Sequence, residues 1–199
     1  MDEKLSALLG KIKDLEQEIL GEIQKKEEEF GYTFRQKKVH FTEKVIVEHK
    51  KLVKKISRYL REAKLLNIIT APVIWSCLMP VVVLDAVVSF YQFVCFPIYK
   101  IPKVLRSDYV VMDRRKLGYL NRLEMLNCVY CEYVNGFLAY AQEIAGRTEQ
   151  HWCPIKHAVR LKTMHSRYQN FFDYGDAEQY RRRIEEVRHA FEDLKKVNT

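Results

Sequence analysis

LLNIITAPVIWSCLMPVVVLDAVVSFYQFVCFPIY, residues 65–99, decides how this chain folds: it has 35 residues without Lys, Arg or His, a single charge at Asp85, and three prolines, Pro72, Pro80 and Pro97. Apolar runs of 18 or more residues point to membrane rather than to a soluble core. As one straight helix the stretch would measure about 52 Å against a hydrocarbon core of about 30 Å, so a simple crossing leaves length over. Pro80, near the middle, has no N–H and leaves the Ser76 carbonyl without its helical partner, which predicts a break at Met79-Pro80. The two arms, 66–79 and 81–96, would reach about 21 and 24 Å, each short of a crossing. The expectation is a proline-broken re-entrant membrane hairpin. A single tilted or kinked span is the alternative.

Both flanks are basic. Residues 31–64 carry eleven Lys/Arg against three acids, and residues 100–116 carry Lys100, Lys103, Arg106, Arg114, Arg115 and Lys116 against Asp108 and Asp113. The positive-inside rule then places both flanks in the cytoplasm, which a dip-in hairpin satisfies and a single span does not. Net charge is segregated along the chain: −4 over 1–30, +8 over 31–64, −1 over 65–99 and +5 over 100–199. A basic block beside an apolar element suits an anionic leaflet, at about 1 kcal/mol per well-placed cation. Nucleic acid is the rival partner for a basic chain. Because the block abuts the apolar stretch, anionic membrane lipid is preferred and no nucleic acid is expected. The start, Met1-Asp2-Glu3-Lys4, has neither a basic n-region nor an apolar h-region, so no cleavable secretory signal is expected and the N-terminus should stay in the cytoplasm; with both flanks basic, both termini are expected on that side.

Asp85 stands apart within the stretch, since a carboxylate near a bilayer centre costs about 2.5–3.5 kcal/mol. It must be protonated, meet a cation, or lie shallower than the apolar count implies. Holding the hairpin against a neighbouring helix would answer the same need.

Outward from the stretch, the periodicity is helical. Leu5, Leu8, Ile12, Leu15 and Ile19 form a heptad seam that fails at Glu22; it either packs on the chain's own next helix or joins a homo-oligomer. Thr42 is placed to cap a basic amphipathic helix with Val45, Leu52, Ile56 and Leu60 on its apolar side. After the stretch, a long helix is expected from about Asp113 to Ala145, ending at Gly146. A shorter one should start at Cys153-Pro154, and a last one at the N-cap Asp176. No segment alternates like a strand. The fold class is all-α, with an N-terminal helical hairpin over 1–64, the membrane hairpin over 65–99, and a C-terminal helical domain over 100–199 with a possible metal clip.

That clip rests on Cys128-Val-Tyr-Cys131 and Cys153-Pro-Ile-Lys-His157. On helices, Cys128 and Cys131 share a face at i, i+3, and Cys153 and His157 at i, i+4. Two facing pairs would supply three thiolates and an imidazole, a closed tetrahedral set for zinc, with an iron–sulfur cluster as the lesser possibility. His151 could replace His157. Two other readings stay open: cysteines as core packing, and a reactive Cys153 with His157 as base and Glu149 among the acid/base candidates. Glu143 and Arg147 read as an ordinary i, i+4 ion pair. Five cysteines in a cytoplasmic setting favour thiols or ligands over disulfides. No nucleotide-binding glycine motif and no H-E-x-x-H occurs.

The strings Thr70-Ala71-Pro72-Val73-Ile74, Tyr91-Gln92 to Phe96-Pro97-Ile98-Tyr99, Ser107-Asp108-Tyr109, Asn127-Cys128 to Cys131, and Arg147-Thr148-Glu149-Gln150-His151-Trp152-Cys153-Pro154-Ile155-Lys156-His157-Ala158 resemble a bacterial family of short membrane-associated proteins without an assigned activity. The resemblance implies a bacterial inner-membrane protein and no mechanism. The hairpin also resembles the proline-broken re-entrant helix of monotopic phosphoglycosyl transferases, with Met79-Pro80 in place of Ser-Pro and no following Asp-Glu dyad, so the likeness stops at topology. The leading expectation is a membrane-anchored structural or interaction protein on the cytoplasmic face. The alternative is a metal- or thiol-dependent enzyme acting on a lipid-linked or membrane-delivered substrate.

Overall fold

Helical periodicity dominates the sequence, and the computed structural model is mostly helical: α1 (Glu3–Phe30), α2 (Glu43–Lys51), α3 (Ile56–Glu62), α4 (Leu65–Ser76), α5 (Leu78–Tyr99), α6 (Arg122–Trp152), α7 (Ala177–His189) and α8 (Glu192–Lys195). It describes the backbone of residues 3–35 and 38–195, and within these the side chains of 15, 17–33 and 39–194. The seam positions Leu5, Leu8 and Ile12 therefore have described backbone only. The chain divides into two units, Met1–Glu62 with Asp113–Cys128, and Ala63–Met112 with Val129–Thr199.

In the first unit the expectation of no strand is corrected. Tyr32–Arg35 (β1) and Lys38–Phe41 (β2) pair antiparallel, Tyr32 opposite Phe41 and Thr33 opposite His40. Aromatic and β-branched residues make these segments strand-compatible, but four residues each are too short to show alternation. Gly31 makes the turn out of α1 at φ +61, and a Cβ there would lie 2.7 Å from Val45 Cγ2. Phe41, His49 and Tyr119 pack edge to face in sequence, with ring centroids 5.2 and 5.0 Å apart. The basic helix expected from Thr42 through Leu60 is two pieces, α2 and α3, separated at 52–55.

The long helix begins later than expected and ends later. Asn121 caps it, its Oδ1 accepting from the N–H of Leu123 and Glu124 at 2.9 and 3.1 Å while Glu124 Oε2 accepts from the Asn121 N–H at 2.8 Å. This reciprocal capping box sets the start at Arg122 rather than Asp113. Gly146 does not end α6. Its missing side chain admits His165, whose Nδ1 would stand 2.7 Å from a Cβ, and Gly136 likewise admits the backbone of Tyr109 and Val110.

The second unit's core gathers Phe96, Ile101, Val104, Phe137, Tyr140, Ile144 and Phe191. After α6 no helix starts at Cys153-Pro154. Pro154 is buried, Ile155 forms an isolated parallel bridge with Phe172, and a 3-10 turn spans Tyr168–Asn170. A buried Arg167 ties this loop in, donating to Gln150 Oε1 at 2.6 Å and to the Ala190 carbonyl at 3.0 Å, and pairing with Asp193. Asp176 does cap α7, accepting from the Gln179 N–H at 3.0 Å.

Candidate membrane-contact surface

The apolar stretch forms two helices parted at Cys77. Pro80 explains the position: it falls in the first turn of α5, where no donor is missed, and it orphans the Ser76 carbonyl one turn back, where α4 stops. The break therefore lies a few residues before the expected Met79-Pro80. At the other end Lys100 closes α5 in the left-handed conformation, φ 56, with Ile101 N–H reaching the Phe96 carbonyl at 2.9 Å.

α5 is built the reverse of a soluble helix. Its inward positions include Asp85, Ser89, Gln92 and Phe96, whereas Met79, Val82, Val83, Leu84, Val87, Phe90, Phe93, Val94 and Ile98 stay exposed. The charge and the amide face protein, and the outer face is apolar throughout. A helix in water shows the opposite arrangement. α4 shows apolar side chains all along its length, Leu65 and Leu66 each 71% exposed. Its hydroxyls are satisfied within the helix, Thr70 donating to the Leu66 carbonyl at 2.8 Å and Ser76 to the Val73 carbonyl at 2.7 Å.

Each inward polar group has a partner. Arg106 grips Asp85 with two bonds, at 2.6 and 2.7 Å, Tyr133 donates to it at 2.7 Å and Ser89 at 3.1 Å. The guanidinium lies 5.6 Å from the Tyr140 ring centroid. Burial and the adjacent Asp85 raise the Tyr133 phenol, keeping it a donor. Gln92 accepts from the Val104 N–H and donates to Tyr140, both at 2.8 Å. Tyr130 donates to the Ile74 carbonyl at 2.9 Å, and its ring packs on Trp75. Of the answers open for Asp85, the structure gives a cation. Arg106 and the tyrosines of α6 were beyond sequence reasoning, because nothing local links positions 21 and 48 residues apart.

The Cys/His constellation is not assembled. With α6 running unbroken through Gly146 to Trp152, Cys131 and Cys153, the residue after its end, sit about 33 Å apart along the helix axis, so they cannot share an ion. Cys128 and Cys131 lie within α6, not in a knuckle, and all five cysteines are free, with Cys77, Cys131 and Cys153 exposed. Among the described residues no three His, Cys, Asp or Glu side chains are grouped to hold a metal. The thiol-enzyme candidates also have separate surroundings. His157 stacks on Tyr168 with its backbone N–H on the Tyr168 hydroxyl, and Glu149 lies 3.0 Å from His165 Nε2. His151 stacks on Tyr99, its proton affinity lowered by burial and by Arg188 and His189. Glu143 and Arg147 do pair, at 2.8 Å, nearly buried, with Ser166 donating to Glu143 at 2.6 Å.

Compared with protein-family models, curated proteins and solved structures, the chain finds no match in sequence or in fold.

Proposed function

We propose that this protein is a monotopic membrane protein of the cytoplasmic leaflet of a bacterial inner membrane, acting there as a structural or interaction protein. The observation that carries the reading is the inversion of α5: polar groups paired inward, an unbroken apolar face outward. Residues 65–99 are long and apolar enough to cross a membrane, yet little of the most apolar window is buried in the protein, which a soluble core helix would be.

In this reading the element re-enters. α4, 12 residues and about 18 Å, is too short to traverse a core of about 30 Å. Although α5, 22 residues and about 33 Å, has the length to cross, basic flanks at both ends favour entry after Lys64 and return to the same side at Lys100. Lys64, Lys100 and Lys103 mark the entry and exit, Lys103 Nζ lying 4.9 Å from the Phe93 ring centroid. Basic residues at the headgroups and aromatics beside them match an anionic boundary. The cations of α2, α3 and the segment between them, Lys50, Lys51, Lys54, Lys55, Arg58 and Arg61, add to the attraction for anionic lipid.

The test uses the full chain in cells. Lys55→Cys and Arg115→Cys, placed singly in a background lacking other reactive thiols, should both resist a membrane-impermeant thiol reagent applied from outside. Labelling of one alone means a true span and overturns the topology. Val83→Glu with Val87→Glu, both on the outer face of α5, should move the protein from the membrane fraction to the soluble one. Retention of that variant in membranes overturns the anchor.

A further inference from the structure

We infer that α1 is a self-association helix, and that two copies of this chain pair in parallel along its apolar seam. The seam does not stop at Glu22. α1 continues to Phe30, and at 100° per residue Leu5, Leu8, Ile12, Leu15, Ile19, Ile23 and Phe30 fall within an arc of about 80°. The spacing changes from alternate threes and fours to a step of four between Ile19 and Ile23, a stutter that locally unwinds a supercoil and keeps the stripe on one face. The stripe thus runs over nearly four heptad lengths, about 38 Å from Leu5 to Phe30, with Lys26 the residue on it between Ile23 and Phe30, and it reaches the length at which coiled coils become credible.

Among the described residues of this stripe, Leu15, Ile19, Ile23 and Phe30 are 57, 58, 48 and 54% exposed, so this half is not buried against the next helix as expected. Lipid is a poor occupant, because the stripe is narrow and the helix carries eight acids against five lysines, the wrong sign for an anionic leaflet. Another helix fits, and its own copy fits best. With Leu5, Ile12 and Ile19 at a, Lys11 falls at g and Glu16 at e, five residues on, the spacing that joins g of one helix to e of its parallel partner in both directions. Further along, Lys25 pairs with Glu22 and Lys26 with Glu29 on the same helix, each at 2.5 Å, so both lysines there are matched within the helix and residues 17–30 bring a net charge of −3 to a like partner. The pairing does not depend on the membrane reading, although two copies held in one leaflet would meet at raised effective concentration.

The test is the mass of the full chain in detergent micelles, by sedimentation. The parent should be a dimer. Leu15→Asp with Ile19→Asp should be monomeric at several times the concentration at which the parent pairs, with helicity retained, whereas Gln17→Glu on the opposite face should stay dimeric. Ile12→Cys and Ile19→Cys should each cross-link to their own counterpart under mild oxidation. A monomeric parent, or a dimer that survives the two aspartates, overturns the inference. Cross-linking only in a mixture of Leu8→Cys and Ile19→Cys chains overturns the parallel arrangement. Failure of the α5 anchor would show in fractionation and leave this result untouched.

Discussion

Replacing Arg106 by Met keeps the aliphatic stem and removes the cation from Asp85. The carboxylate would keep Tyr133 and Ser89 and lose two charge-assisted bonds, in a site where its side chain is 12% exposed. Breaking a fully buried pair costs about 3–5 kcal/mol, and breaking an exposed one about 0–1 kcal/mol. Arg106 is 41% exposed, so its loss falls between, at about 2 kcal/mol. Asp85→Asn should cost about 1 kcal/mol, since the freed guanidinium can reach water. Asp85→Leu with Arg106→Met should cost less than Arg106→Met alone, because removing both charges also removes the desolvation penalty. The assay is guanidinium unfolding in micelles followed by circular dichroism, with midpoint and slope fitted for the parent, each single variant and the double. A loss below about 0.5 kcal/mol for Arg106→Met, or a double variant as unstable as the sum of its singles, would refute the view that this pair is the lock on α5.

Three further outcomes follow from the same geometry. Gly136→Ala should destabilise by about 1–3 kcal/mol, since its Cβ would lie 2.8 Å from the Tyr109 carbonyl oxygen and backbone cannot easily yield, whereas Gly21→Ala, with nothing within 4 Å, should stabilise α1 by up to about 1 kcal/mol; equal effects in thermal melts would contradict this. His151 has its proton affinity lowered on folding, first by burial, so the unfolded chain binds the proton more readily: stability is full above the ordinary histidine value near 6.5 and falls as pH drops through it, and His151→Phe should flatten melting temperature between neutral and mildly acidic pH. Arg188, His189 and Glu185 stay in place in that variant, so an unchanged pH slope would assign the effect to them. Cys131 and Cys153 should react with a thiol reagent as independent sites, and zinc protecting both at once would contradict their separation along α6.

The extent to which this was legible depended on how local each signal is. Residues 65–99 were readable as an apolar, proline-broken element because composition alone singles them out. Asp85 was readable as an anomaly, but Arg106 was not readable as its answer, because cation and carboxylate lie 21 residues apart and meet only through α5 and the segment that follows it. Gly146 misled. A glycine ending a helix and a glycine admitting a neighbour look the same in sequence, and with the helix wrongly stopped there, Cys153 and His157 could be swung round to face Cys128 and Cys131. The Asn121–Glu124 capping box is the local signal in the sequence that sets the start of α6. Under strict alternation of threes and fours the heptad seam ends at Glu22, because that pattern does not allow for a stutter.

Why a charge should sit in the apolar stretch at all follows from what surrounds α5 in the proposed setting. In water, the hydrophobic effect turns the apolar face of a helix toward protein. Between protein and lipid, both apolar, that preference disappears, and van der Waals packing and hydrogen bonds must choose the face. Asp85, Ser89 and Gln92, at i, i+4 and i+7, form a stripe along one side of α5, with acceptors or donors waiting on Arg106, Val104, Tyr133 and Tyr140. A rotation that turned this stripe outward would leave a carboxylate and an amide unpaired in hydrocarbon, at several kcal/mol. Moving the apolar outer face inward would gain almost nothing. The few polar residues of the stretch are therefore what fixes how the anchor is rotated against α6, and apolar substitutions on its outer face should be tolerated far better than any on the stripe.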